Sequence, residues 1–535
     1  MTSKDSSPTC APLRSDANAV SPFPNGVPAR KGAESPKRVL LYKIVMNREN
    51  KNETVRHSPF RNWMSLAGAM LTAGSFFSFL LLFVLDSLAH FSNPYVGILT
   101  YMIAPGFGAM GLFLMVFGFW IARRRIARTG AMPAMRIDLS RPRDRKVLGL
   151  FIAGSLVFLL VSAVGSYQTY HYTESVQFCG ETCHGVMKPE RVTHQNGPHA
   201  RVACVECHVG PGAEWFVKAK VSGTHQVYSV LLNKYSRPIA TPIKNLRPAA
   251  ETCEQCHWPR KFVGDKVKTY DYFLADETNT FHEVKLVLKV GGADPTHGPV
   301  SGIHWHMSVA NKIEYIATDD ARQKIPWVRS TDLQGVVTEY RSPKFTNDIS
   351  GYTIRRMDCI DCHNRPAHRY RSPEDAVNIA MSIGEIDPAL HWIKTNAVSV
   401  LVQKYQTEDE ATNKIAARLI AKYPGDARIS HTIAAVQQIY RDNFFPDMNA
   451  SWRNYPENIG HKNWPGCTRC HDDEHKTIDG KKKIVFSDCT QCHIILAQGN
   501  GKELAQATLQ GQTFKHPGDE IPDGFKCSDC HTGGP

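Results

Sequence analysis

The 535-residue chain has almost no cysteine outside one repeated pattern, almost no net charge over its larger part, and no first stretch that reads as a secretory leader. Fourteen of its 15 cysteines fall in seven close pairs, each pair followed directly by histidine; only Cys10 is left over, so a separate disulfide framework has nothing to draw on. The formal net charge is +13, but Met1–Tyr167 holds 20 Lys/Arg against 8 Asp/Glu, while Gln168–Pro535 holds 43 against 42. A basic domain would invite a nucleic-acid reading; here the basic excess lies in the first third, and the large remainder carries no such footprint. The stretch from Met1 to about Lys37 is rich in Ser, Pro, Ala and Gly and lacks an apolar core behind a short basic start. It reads as a disordered tail and not as a signal peptide. Beyond residue 168, long stretches lack a clear hydrophobic period.

What is present begins with three apolar runs: Ser65–Leu85, Val96–Ile121 and Val147–Val164. None has an internal charge, and each is near or above the ~18–20 residues that a spanning helix needs. Buried core helices would look similar in composition, but these three lie together between basic clusters. Lys43, Arg48, Lys51, Arg56 and Arg61 precede the first; Arg123, Arg124, Arg125, Arg128, Arg141, Arg143, Arg145 and Lys146 separate the second from the third. The loop after the first run carries only Asp86 as a formal charge. Positive residues stay on the cytoplasmic side, so the N-terminus is expected inside and everything after about Gly165 outside. Asp86 and His90, at the outward end of the first run, read either as interfacial residues or as a proton route beside a redox site.

The cysteine spacing carries the chemistry. Six motifs read C-x-x-C-H: Cys204/Cys207/His208, Cys253/Cys256/His257, Cys359/Cys362/His363, Cys467/Cys470/His471, Cys489/Cys492/His493 and Cys527/Cys530/His531. A seventh is longer by one residue, Cys179-Gly-Glu-Thr-Cys183-His184. Two neighbouring thiols form thioethers to the two vinyl groups of one haem, and the following histidine lies under the iron. Zinc sites built from cysteine pairs have no need of histidine after every pair. Seven covalent haems are therefore expected, all on the predicted outer side. Buried porphyrins can stand in for much of an apolar core, so short helices around the motifs and long loops are expected. Glu283–Val290 alternates like a strand; Ile313–Ala317 and Gly335–Tyr340 are expected to pair with it in a small β insertion. Lys414–Tyr423 and Thr432–Arg441 read as helices.

Each iron has a second axial position. With the seven motif histidines and His57 and His90 set aside, 14 histidines remain, enough for every haem to take two. The candidates nearest the motifs are His194, His199, His304, His306, His368, His461, His475 and His516; His171, His225, His282, His297, His391 and His431 are weaker. Met187, three residues beyond His184, is either a thioether ligand, which would raise the first haem's potential, or a side chain that packs on the porphyrin. The first motif lies only about a dozen residues past the third apolar run, which puts its haem close to the bilayer.

The run from Cys179 to Gly223 resembles the NapC/NirT/NrfH family of membrane-anchored quinol dehydrogenase cytochromes. It shares Cys183-His184 with Met187, a histidine ahead of the second haem, Cys204-Val-Glu-Cys207-His208-Val-Gly-Pro-Gly, and Phe216-Val-Lys218-Ala-Lys220. Met357-Asp-Cys-Ile-Asp-Cys-His363-Asn-Arg-Pro-Ala-His368 is similar to that family's last haem with its trailing histidine. The resemblance implies that menaquinol is oxidised beside the first haem, with Lys218 or Lys220 contributing and Met187 close by. The family's acid about seven residues after the lysine is missing; His225 stands there if Lys218 is the match. The family has four haems and usually one helix, against seven and three expected here. The enlarged form, with Gly302-Ile-His-Trp-His306 and three C-terminal motifs, resembles the seven-haem inner-membrane cytochromes of metal-respiring bacteria, the ImcH type.

The fold expected is a multihaem cytochrome c: three transmembrane helices plus a periplasmic, haem-packed domain of short helices and loops with a small β insertion. Its parts are a cytoplasmic tail over 1–62, a membrane anchor over 63–167, a NapC/NirT-like tetrahaem part over 168–375 with the insertion at about 270–345, and a trihaem part over 376–535. The function expected is oxidation of menaquinol at the bacterial inner membrane, with electrons passed to periplasmic c-type cytochromes and no nucleic-acid partner. One alternative is an electron relay or anchor subunit without its own quinol site. Another is a terminal reductase, which requires a five-coordinate iron.

Overall fold

A computed structural model describes residues 62–89, 103–129, 138–182, 184–210, 212–243, 246–258, 264–292, 301–307, 311–345, 348–518, 520–522 and 524–534. Cys10, Cys183, His57, His90 and His297 lie outside these, as does the expected tail over 1–61, and the side chains of Asp86 and His184 are not described. The chain forms two compact units, one of residues 1–68 with 113–136 and one of residues 69–112 with 137–535.

Three long helices come first. α1 spans Trp63–Ala89 and α2 spans Ala104–Thr129. Asn62 caps α1, its Oδ1 accepting from the Ser65 amide at 2.8 Å, in the manner that satisfies one orphan N–H of a helix start. The Asn62 amide also donates to the Gly118 carbonyl at 3.1 Å, and Ser65 Oγ to the Met115 carbonyl at 3.0 Å. A Cβ at Gly118 would lie 2.7 Å from Ser65, so a larger residue would push the two backbones apart, the usual reason for small residues between membrane helices. Met70, Phe76 and Phe77 on α1, and Leu112, Phe113 and Val116 on α2, are exposed. Helices apolar all round seek lipid or a protein core, and these side chains have no protein core around them.

Among the described residues, two helices are long and apolar enough to cross a membrane, Trp63–Leu81 and Ala104–Arg128. This corrects the expectation of three. The third run does lie in a helix, α3 (Pro142–Thr173). Its apolar run, Val147–Val164, occupies only the middle, between a charged first turn (Arg143, Asp144, Arg145, Lys146) and a polar, tyrosine-rich end.

The rest of the chain alternates single helical turns, two sheets and one helical bundle. The early helices are α4 (His184–Gln195), α5 (Cys204–His208), α6 (Ala213–Leu231) and α7 (Ala249–Cys253). The first sheet has the order β1 (Lys266–Phe273), β2 (Phe281–Leu288), β7 (His493–Gly499), all antiparallel. The second has the order β5 (Val337–Arg341), β4 (Trp327–Asp332), β3 (Asn311–Ile316), β6 (Ile354–Arg356). All three strands expected from the sequence exist, within two or three residues of their expected ends. Their pairing differs: β3 and β5 lie in the second sheet, and β2 instead takes β7 from some 200 residues further along. Alternation records which face of a strand is buried and carries no information on its partner.

After α8 (Cys359–Cys362) come α9 (Pro373–Ser382), α10 (Ile393–Leu401), α11 (Glu408–Lys422) and α12 (Ile429–Asn443). The two helices expected here are present; α11 starts six residues earlier than expected and ends one residue sooner, and α12 is longer at both ends. Thr407 caps α11, accepting from the Glu410 amide, while the Glu410 carboxylate accepts from the Gln406 amide. Ala411, Ile415 and Leu419 then repeat every four residues, all fully buried. With Val377, Ile393, Leu401 and Val436 they form an all-protein core. The expectation that porphyrin replaces the apolar core therefore fails for this bundle, where the side chains suffice. The chain ends with α13 (Cys527–Cys530).

Candidate haem sites and their membrane-proximal end

Five of the motifs sit on a single helical turn. Cys204–His208 is α5, Cys359–Cys362 is α8 and Cys527–Cys530 is α13; Gly466–Arg469 and Cys489–Gln491 are 3₁₀ turns. The histidine amide closes the turn on the first cysteine's carbonyl: His257 to Cys253 at 2.8 Å, His363 to Cys359 at 2.8 Å, His471 to Cys467 at 3.1 Å, His531 to Cys527 at 2.8 Å. One turn thus turns both sulfurs and the imidazole to the same side. In the longer motif, Phe178–Thr182 is a π-helical turn. A π turn holds one residue more than an α turn, which accommodates the extra residue between Cys179 and Cys183. All 13 described cysteines are unbridged.

Opposite the motif histidines stand others at a near-constant spacing. Ring centres lie 5.9 Å apart for His199 and His257, 6.3 Å for His208 and His368, 5.8 Å for His306 and His471, 6.2 Å for His461 and His493, and 5.9 Å for His516 and His531. Two imidazoles that ligate one metal from opposite sides, each through a bond of about 2.0 Å, bring their ring centres to about 6.3 Å. The spacing therefore fits an iron between each pair. His304 is a nearby charge felt by His363.

The second hydrogen bonds agree. Nδ1 of His199 donates to the Pro366 carbonyl at 2.9 Å, of His306 to Ile303 at 2.8 Å, of His368 to Glu190 at 2.9 Å, and of His471 to Val485 at 2.9 Å. A backbone carbonyl on Nδ1 fixes the tautomer and leaves the Nε2 lone pair for a metal. Burial lowers the pKa of His208, His304, His306, His363, His461 and His493, and that of His368 to about 4. The neutral imidazole is the ligating form.

Two candidates differ. His475 is almost fully buried, with Nδ1 on Asp472 Oδ1 at 2.9 Å and Nε2 on the Ile325 carbonyl at 2.8 Å. Both nitrogens face protein oxygens, and the structure does not bring His475 opposite a motif histidine in the way it brings the five pairs above. His194 donates from Nε2 to the Val202 carbonyl at 3.0 Å, although its ring lies 6.1 Å from that of His368. Of the weaker candidates, His391 is exposed beside Glu277, His431 is exposed on α12, and His171 packs on Tyr167 and Tyr170. Half-buried His282, on β2, lies near His516.

The motifs also follow one another in space in chain order. The side chains of Cys179 and Cys204 lie close together, as do those of Cys253 and Cys359. Cys207 lies within electrostatic reach of Cys253 and Cys256, Cys362 of Cys467, Cys492 of Cys467, and Cys527 of Cys489. Each of the seven motifs thus lies beside the next.

The series starts at the C-terminal end of α3, against which the π turn packs. There Glu174, the C-cap of α3, faces Lys220 of α6 at 3.8 Å and hydrogen-bonds Tyr170. Both Lys220 and Glu174 act on Cys179. Lys218 is on another side of α6, paired with Glu214 at 2.6 Å and lying over Trp215. His225 is exposed further along the helix. Of the lysines and the histidine expected here, only Lys220 is brought to the first motif. Glu174 was missed in the sequence; the available signal was that it is one of just two acids between Lys146 and Cys183. Met187 packs against the apolar core through one side of α4.

The family model described as the N-terminal region of the NapC/NirT cytochrome c family matches residues 141–250. The cytochrome c-type protein ImcH of Geobacter sulfurreducens is 41% identical over 488 residues, which is 88% of this chain and 95% of that protein. The cytochrome c-type protein TorC, in two strains of Escherichia coli, is 24% identical over 194 residues, 35% of this chain and 47% of its own length. No solved structure matches the chain.

Proposed function

Because this chain belongs to the NapC/NirT family of membrane cytochromes c, together with ImcH, we propose that it carries seven haem c groups and oxidises menaquinol at the inner membrane for periplasmic cytochromes. The observation that carries the reading is the unbroken spatial succession of seven attachment turns, in chain order, from the end of α3. The matched family region also starts at α3. Exposed Val147, Leu150, Val157, Leu160 and Val164 suit lipid around the middle of this helix, and on this reading the motif-bearing part is periplasmic and the N-terminus cytoplasmic.

The proposed axial pairs are His208 with His368, His257 with His199, His363 with His304, His471 with His306, His493 with His461, and His531 with His516. His184 takes Met187 or an open position. Bound there, haem supplies reversible one-electron uptake and release. The chain's own residues handle the protons. Quinol oxidation releases two protons with its two electrons. The Lys220 ammonium donates to a quinol oxygen and stabilises the negative charge that develops there. The Glu174 carboxylate, 3.8 Å from Lys220, accepts a proton and passes it to the outer water, with Tyr170 holding the carboxylate in place. Six paired histidine sites favour electron transfer over a reductase with an open iron.

The test is direct. The purified, haem-loaded protein in nanodiscs is mixed with a reduced menaquinol analogue, and the haem absorbance is followed. Rapid reduction by this chain alone is expected. Reduction only after another subunit is added would make the chain a relay and end the quinol assignment.

A further inference from the structure

The exposed side of α6 is apolar where water would favour polar residues. Val217, Val221, Tyr228 and Leu231 are all exposed, Val221 to 67% and Leu231 to 77%. Their spacing of four, seven and three residues, with Thr224 between, draws one line along a helix of 3.6 residues per turn. Toward both ends of the helix the opposite side faces the protein: Trp215 and Ala219 are half-buried and Val230 packs on the central core, while Thr224–Tyr228 between them are exposed all round. A helix with an apolar stripe on its outer face and a protein-facing stripe behind it has two apolar partners. Only one of them is protein.

The other partner follows from what α6 adjoins. Lys220 reaches Glu174, and Phe216 lies 6.5 Å from Tyr170, both at the C-terminal end of α3. The stripe therefore adjoins the end of α3, whose exposed apolar middle suits lipid. Lys218 and Lys220 flank it, Lys234 lies over Tyr228, and Arg237 follows. Cationic side chains beside an apolar stripe, with Trp and Tyr near its edges, are what anionic headgroups over acyl chains bind. Water-facing apolar stripes of this size are otherwise costly.

We infer that α6 lies flat in the outer leaflet of the inner membrane, its Val217–Leu231 stripe in the acyl boundary and its lysines among anionic headgroups, so that menaquinol reaches Lys220 without leaving the lipid. The access role rests on the quinol reading above; the lipid contact does not. Benzoylphenylalanine replaces Tyr228, an aromatic for an aromatic, and separately Val221, in the full haem-loaded chain. The protein is placed in nanodiscs of phosphatidylglycerol and phosphatidylethanolamine and irradiated. Phospholipid adducts are expected at both positions, and none at Gln226, which faces another side of the helix. Adducts to protein alone, or no adducts at 221 and 228 in samples with unchanged haem spectra, overturn the inference.

The second arm separates the two claims. V221D/L231D is expected to raise KM for lipid-borne menaquinol by about tenfold while leaving oxidation of a water-soluble quinol unchanged. An equal effect on both quinols overturns the access role. If the unaltered protein oxidises neither quinol, the quinol reading fails while the crosslinking result still decides the lipid contact.

Discussion

At the scale of single residues, what distinguishes the paired histidines from the others is what holds Nδ1. His368 spends its Nδ1 on the Glu190 carbonyl and is left with Nε2 facing His208; His475 spends both nitrogens on protein. His368→Ala is expected to convert one haem from low spin to high spin, read by electron paramagnetic resonance. His475→Gln should leave the spin states alone and cost stability instead, about 1–3 kcal/mol through buried groups left without partners. At the first motif, Lys220→Ala is expected to lower the rate of quinol-driven reduction by about 10²-fold, the scale of losing one charge-stabilising donor. Lys218→Ala, away from Cys179, should change it little; equal effects would contradict the placement of Lys220. A stability effect of pH comes from Glu314. Burial alone would raise its pKa, but hydrogen bonds and charge from Lys312 and Arg329 outweigh this and hold it below the ordinary 4.5. Its contribution is thus complete above the ordinary value and lost as the pH falls through the lowered one. Glu314→Gln should flatten that part of the acid-unfolding curve.

At the scale of elements, the helical turns and the bundle obey different rules. The motif turns are too short to stand alone, since isolated helices need about 12–15 residues. They are held by their ends: Asp358 caps α8 and also accepts from the Ala249 amide, tying the fourth motif to the third. The bundle of α9–α12 needs no such help, because Ile415, Leu419 and Val436 are fully buried among side chains. Leu419→Ala is expected to cost about 2–5 kcal/mol, measured by denaturant unfolding, with the haem spectra unchanged in the folded state. A change of haem spectrum in that variant would show that the bundle and the haem sites are one cooperative piece.

At the scale of the whole molecule, the succession of motifs predicts independence of the two ends. The pyridine haemochrome assay should count seven haems per chain. Cys530→Ser should bring the count to six and leave quinol-driven reduction of the remainder intact, because the seventh site is last in the series. Loss of reduction altogether would mean that the motifs do not form one line from the α3 end.

Haem attachment was legible in the residues alone because it is local chemistry: two thiols and an imidazole within five or six residues need nothing from the rest of the fold. The apolar runs were legible for the same reason, since a helix satisfies its own backbone. The helices at Lys414–Tyr423 and Thr432–Arg441 showed through their period. The partner of each histidine, the pairing of β2 with β7, and the meeting of Glu174 with Lys220 join residues between 15 and 216 positions apart. Such meetings depend on how distant surfaces pack, which no local spacing encodes, so only the tertiary structure decided them.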